Sequence, residues 1–222
     1  MTAQEIDEAF RLLSRATEKE LCSFGDMNAW WLPPMEEHGS KELALEALRE
    51  TVESCETRQQ KLERLGYLYC WMAPLRILQT WTLITLGDMV KKETFNETAF
   101  LIDIAKAVAV RNLGHKTTFV TMYEDSWVYG CLLVLNDKPT PMNNSPSSAS
   151  AETPPADVIC MCCWRSLPFM AVYATDAKAY PMLDDALTEV LSYDCEPLLR
   201  GDYEYLNDAS HAVIDYTSNG VD

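Results

Sequence analysis

The chain has 222 residues, a length that suits one large domain or two small ones. Hydrophobic residues make up 48% and charged residues 23%, which excludes a disordered chain, and no apolar run approaches the roughly 20 residues of a membrane span. A net charge of −16 repels nucleic acid at long range, so any contact with phosphate has to rest on a local basic patch.

The charge is unevenly spread. Through Lys116 there are 14 Lys+Arg and 18 Asp+Glu, a balance of −4; from Thr117 onward there are 4 and 16, a balance of −12. Only the first part has the cations to build a basic patch. The start, MTAQEIDEAF, is acidic and polar and carries neither a signal-peptide nor a transit-peptide pattern. The expected compartment is the nucleus or cytosol, where the eight cysteines are reduced.

In chain order, the first half reads as helices. Ile6, Ala9, Phe10 and Leu13 share a helical face in IDEAFRLLSRA, with Arg11 and Arg15 four apart on another. A helix over EKELCSFGDMNAWW ends at Pro33-Pro34. Ser40 caps a long helix, KELALEALRETVESCETRQQ, and KLERLGYLYCWM continues as another. Pro74 opens a helix over PLRILQTWTLITLG that Gly87 closes. Residues 94–114 form the best-marked helix, with Thr94 and Glu97 as a capping box and Gly114 as its end.

The period then changes. TTFVTMY and WVYGCLLVL flank a short turn and read as a β-hairpin; VICMCCW and PFMAVYAT read as a second, around Arg165-Ser166-Leu167. Between them, residues 136–157 are rich in Pro, Ser and Asn and read as a flexible loop. AYPMLDDALTEVLSY and YEYLNDASHAVIDY close the chain as helices. Helices, a four-strand antiparallel meander and further helices make an α+β chain: a helical bundle joined to a sheet packed on helices.

The chemistry-bearing residues are sparse. Cys160 and Cys163 have CxxC spacing, with Cys162 between them, but no second pair completes a zinc site, and a strand would send Cys160 and Cys163 to opposite faces. The stretch is expected to be a core strand, with Cys160, Cys162 and Trp164 on one face and Ile159, Met161 and Cys163 on the other. No P-loop, GxGxxG, GxSxG or HExxH motif occurs, and His38, His115 and His211 are scattered. Neither metal, cofactor nor catalytic constellation is expected.

The order of segments resembles the N-terminal half of the centromere protein N family, which includes the fungal Chl-four and Mis-fifteen proteins. The resemblance runs through MTAQEIDEAFRLLSRATEKEL, LGYLYCWMAPLRILQTWTLITLGDMV, FLIDIAKAVAVRNLGHKTTFVTMYEDSWVYGCLLVL, VICMCCWRSLPFMAVYATDAKAYPMLDDALTEVL and YLNDASHAVI. It implies a pyrin-like (death-fold) helical bundle over residues 1–72. Residues 73–222 would form an α+β domain of the kind shared with centromere protein L. It implies a non-enzymatic, nuclear subunit of the inner kinetochore that reads the nucleosome carrying the centromeric histone variant.

In that family acidic residues on the first helix meet a histone-loop arginine, and Glu5 and Glu8 fall at that place. Basic residues further along the helix touch DNA phosphate, where Arg11 and Arg15 fall. Lys178 falls where the family has a basic pair after the second hairpin, and Arg200 near a basic run before the final helix. The implied partners are that nucleosome, a subunit like centromere protein L, and other inner-kinetochore proteins. The sequence departs from the family in having only Lys138, Arg165, Lys178 and Arg200 as cations from Thr117 onward, so weak DNA contact is expected. The alternative is a death-fold adaptor that binds proteins through helix faces without nucleosome or DNA affinity.

Overall fold

A computed structural model describes residues 3–27, 29–87, 95–111, 116–124, 126–135, 156–176, 179–191 and 198–218. Thr94, Gly114, His115, Cys195, Lys178 and loop residues 136–155, Lys138 among them, lie outside the described residues.

The first layer is helical. Helix α1 (Ala3–Leu13) buries Ile6, Ala9, Phe10, Leu12 and Leu13, which contains the expected stripe. Helix α2 (Glu18–Ser23) is shorter than the periodicity suggests. Thr17 and Glu20 make its capping box, and Phe24–Met27 turn into a 3-10 segment. Helix α3 (Lys41–Glu53) is capped by Ser40, as its sequence predicts, and ends at Ser54. The long helix expected through Gln60 is therefore broken. Thr57 and Gln60 form a capping box that starts α4 (Arg58–Met72), so the second helix begins before Lys61.

The expected helix over 74–87 is not formed. Residues 73–78 turn, and Trp81–Thr85 form a strand, β1. Strand β2 (Lys116–Glu124) and β3 (Trp127–Leu135) make the first predicted hairpin. Strand β4 (Asp157–Trp164) and β5 (Phe169–Ala174) make the second; Asp157, placed in the loop by its composition, is the first residue of β4. A sixth strand, β6 (Leu198–Tyr203), comes from a segment in which Tyr203 was expected to begin a helix. The sheet order is β2-β3-β4-β5-β1-β6, and every pair is antiparallel. The predicted four-strand meander is thus extended by two strands, with β1 between β5 and β6. The protein is an α+β fold with seven helices among the described residues.

Helix α5 (Glu97–Arg111) starts at a different cap from the one its sequence suggests. The Ala99 amide donates to Asn96 Oδ1 at 2.8 Å, making Asn96 the cap, and Glu97 instead accepts from the Ser166 amide at 2.9 Å. Helix α6 (Ala179–Leu191) and α7 (Leu206–Ser218) complete the fold.

The sheet is sandwiched. On one face lie α4, over β2 and β3, and α7, over β5, β1 and β6, in one buried cluster that continues through α1 and α3. On the other face lie α5 and α6. Strand β4 divides its side chains as alternation requires: Cys160, Cys162 and Trp164 join the first cluster, Ile159, Met161 and Cys163 the second. These cysteines are fully buried, and burial pushes the thiols of Cys160, Cys162 and Cys163 up. Cys160 faces Cys131 across the strands, with the sulfurs 3.9 Å apart.

Helix α4 reaches the sheet at Gly66. A Cβ there would stand 2.6 Å from Val120 Cγ2, so only glycine permits this approach.

Candidate recognition surface on the first helix

Helix α1 has one buried side and one polar side. Along the polar side, Glu8 and Arg11 form a bidentate ion pair: Arg11 Nε donates to Oε2 at 2.7 Å and Nη2 to Oε1 at 2.6 Å. The three-residue spacing brings the two side chains together on one helix face. Hydrogen bonds from Arg11 hold the Glu8 carboxyl below its ordinary value. Partial desolvation opposes this, and the charges of Arg11 and Arg15 reinforce it. Both members of the pair remain substantially open to solvent.

Arg15 is exposed and reaches off the end of α1 to the carbonyl of Ile77, at 3.5 Å. That contact ties the helix to the turn before β1. Beside Ile77, Arg76 is exposed and stacks over the ring of Tyr205, 5.5 Å from its centroid, while Gln79 donates to the Tyr205 hydroxyl at 3.0 Å. Tyr173 of β5 is half-buried close enough to Glu8, Arg11 and Arg15 to feel their charges. Burial is the main reason its hydroxyl is held above the usual tyrosine range. Glu5 is half-buried one turn before Glu8.

Two further contacts fix α1 in place. Lys41 Nζ donates to the Ser14 carbonyl at 2.6 Å, which satisfies a carbonyl just past the helix end. Arg49 of α3 bridges Asp7 and Glu53, and its guanidinium lies 5.6 Å from the Phe10 ring centroid. Helix α1 is thus held from α3 on one side and from the β1 approach on the other.

Three of the predicted residues, Glu5, Glu8 and Arg11, share this helix, and Arg15, just past its end, links it to the turn before β1. Arg200 does not join them. Its Nε donates to Thr85 Oγ1 at 2.6 Å and its guanidinium sits over Tyr216 at 5.6 Å. Thr85 ends the strand whose first residue, Trp81, lies nearest the Ile77 turn, so Arg200 stands about 13 Å further along the sheet. Arg76 and Tyr173 were not singled out by sequence reasoning. Arg76 sits in a segment that reads as helix interior, and Tyr173 is one of several aromatics in an apolar strand. Only tertiary structure brings Tyr173 within range of the charges of Glu8 and Arg15 and sets Arg76 beside the Ile77 carbonyl that Arg15 reaches.

A second exposed aromatic feature lies on the helical layer. Trp30 is 88% exposed, and Arg64 of α4 covers both Trp30 and Trp31, at 5.7 and 5.3 Å from their ring centroids. No protein-family model matches the chain, and no curated protein matches it.

Proposed function

We propose that the chain is a non-enzymatic nucleosome-recognition subunit of the inner kinetochore that uses α1 as its reading helix. In this reading residues 1–72 are a pyrin-like bundle and residues 73–222 an α+β domain like that of centromere protein L. The protein acts in the nucleus at the centromere in chromosome segregation, beside a subunit like centromere protein L. The observation that supports it most is the exposed Glu8–Arg11 pair, with Arg15 one turn on. A histone arginine arriving at Glu8 offers the same bidentate geometry that Arg11 provides, and taking Arg11's place leaves that guanidinium to meet an adjacent phosphate. One carboxylate thereby couples histone and DNA contact. Glu5 would widen the acidic contact, and Arg15 the phosphate contact. Lys178 and Arg200 would serve as outlying phosphate contacts, Arg200 only after leaving Thr85.

The test is binding to nucleosomes carrying the centromeric histone variant and to ordinary ones. Glu8→Gln is expected to lower variant binding about tenfold and remove the preference, while Arg11→Ala weakens both nucleosomes alike. Equal wild-type binding to both kinds, or binding to neither, overturns the reading.

The death-fold adaptor is favoured by a specific observation of its own. Trp30 is a large, open aromatic in the turn before Pro33-Pro34, the type of side chain that anchors protein interfaces. An adaptor would lose its partner on Trp30→Ala and would show no affinity for nucleosomes or DNA.

A further inference from the structure

On the face of the sheet away from α1, helices α5 and α6 leave β1 and β6 partly uncovered. A groove of about 640 Å³ runs between α6 and these two strands. That volume lies within the range of sites that enclose a ligand or a few large side chains. Its open apolar surface comes from Ile84, Tyr180, Pro181 and Leu199; Leu199 is 68% exposed, which is unusual for a leucine in a strand. A register shift in the β1–β6 pairing lies between Leu83 and Ile84, opposite Gly201, whose φ is +148°. Such a bulge re-aims the side chains beside it, here Leu199.

The charges in the groove have one sign. Asp184 of α6 and Asp202 of β6 are both exposed, and no cation lines the groove among the described residues. Arg200, next to Leu199, is turned to the opposite face by Thr85 and Tyr216. Asp202 accepts from Thr82 Oγ1 at 2.7 Å, so its carboxylate is held at the groove wall. At the rim, Thr80 has φ +73°, a strained setting for a β-branched residue. Strand β6 is also the edge of the sheet among the described residues.

We infer that this groove binds an extended, basic segment of another protein, with apolar side chains seated against Leu199, Ile84 and Pro181 and lysine or arginine at Asp184 and Asp202. Charge complementarity selects this occupant. A second copy of the chain would bring the same two carboxylates together between molecules of charge −16 each. The inference is independent of nucleosome recognition by α1, because the groove and α1 lie on opposite faces of the sheet.

The probe is a fluorescein-labelled octapeptide alternating lysine with leucine or valine, titrated against the intact chain and followed by anisotropy. Saturable binding is expected. Asp184→Asn with Asp202→Asn should weaken it about tenfold, and Leu199→Ser, an exposed change that leaves the core intact, by a similar factor. Glu42→Gln with Glu46→Gln, which removes the same charge from α3, should change it less than about twofold. The inference is overturned if this control pair weakens binding as much as the groove pair. It is equally overturned if an octapeptide with glutamate in place of lysine binds as well, or if no binding appears up to about 1 mM peptide. Sedimentation showing a dimer that Leu199→Ser dissociates would assign the groove to a second copy and also overturn it.

Discussion

Consecutive residues of β1 meet different surroundings. Leu83 is fully buried in the cluster that runs from α1 through α4 to α7, while Ile84, pointing the other way, is half-buried at the wall of an open groove. The helical layer was built from four N-terminal helices plus the last one, and it covers its face from edge to edge. The α5–α6 layer has two helices, clamped together where Arg111 meets Asp185 at 3.2 Å and Glu189 at 2.9 Å, and it stops short of β6. Both faces hold a buried cluster, but one is closed across the sheet and the other leaves surface open at β1 and β6. The largest expected effect tests this contrast directly. Leu83→Ala should cost about 3 kcal/mol in chemical denaturation, and Ile84→Ala about 1 kcal/mol, because a cavity in a closed cluster cannot be filled by solvent. Equal losses would show that the groove face is as closed as the other.

The closeness of the helical layer gives a second, smaller effect. At Gly66 a methyl group meets the branched, stiff side chain of Val120. Overpacking costs about 1–3 kcal/mol, and alanine's better helix propensity returns about 1 kcal/mol, so Gly66→Ala should destabilise by about 1 kcal/mol net. Val120→Ala, placed in the same chain, removes the obstructing methyls and should make Gly66→Ala neutral or stabilising. If the two changes simply add in a double-mutant cycle, α4 does not rest on β2 at that point.

What could be read from the sequence follows the range of the forces involved. Strands β2 to β5 were legible because long β-branched and aromatic runs face helices on both sides, and the two faces of ICMCCW came out as alternation requires. The stripe of α1 and the Ser40 cap are local and were also legible. Strand β1 was not. WTLIT is a short apolar run between Pro74 and Gly87, and only pairing with the distant β5 and β6 makes it a strand. Strand β6 hides for the opposite reason: LLRGDY has poor strand formers and an irregular register. The break between α3 and α4 did carry a signal, the Thr57-x-x-Gln60 box, inside what reads as continuous helix. On the candidate surface, Arg11 and Arg15 were visible as a spacing and Glu8 through the resemblance, but the Glu8–Arg11 pairing was not read. Arg76 and Tyr173 reach it only through tertiary packing.

The smallest expected effect concerns that surface, where the helical layer turns from core to solvent. Glu8 is held ionised by Arg11 in the folded chain, so its folded pKa lies below the unfolded one. A lowered carboxylate contributes its stability fully above the ordinary glutamate pKa of about 4.3, and loses it as pH falls through the lower folded value. Glu8→Gln removes this contribution. Its melting temperature should therefore fall slightly below that of the natural chain near pH 6 and converge with it as the pH drops through the folded value. The pair is exposed, so the gap will be small and should shrink further in high salt. A gap that stays constant over the same fall in pH would mean that Arg11 does not hold Glu8 in solution. The carboxylate would then be open to an incoming arginine without any exchange, and the coupling of histone to phosphate through Arg11 would lose its physical basis, whereas Glu8 as an acidic contact would stand.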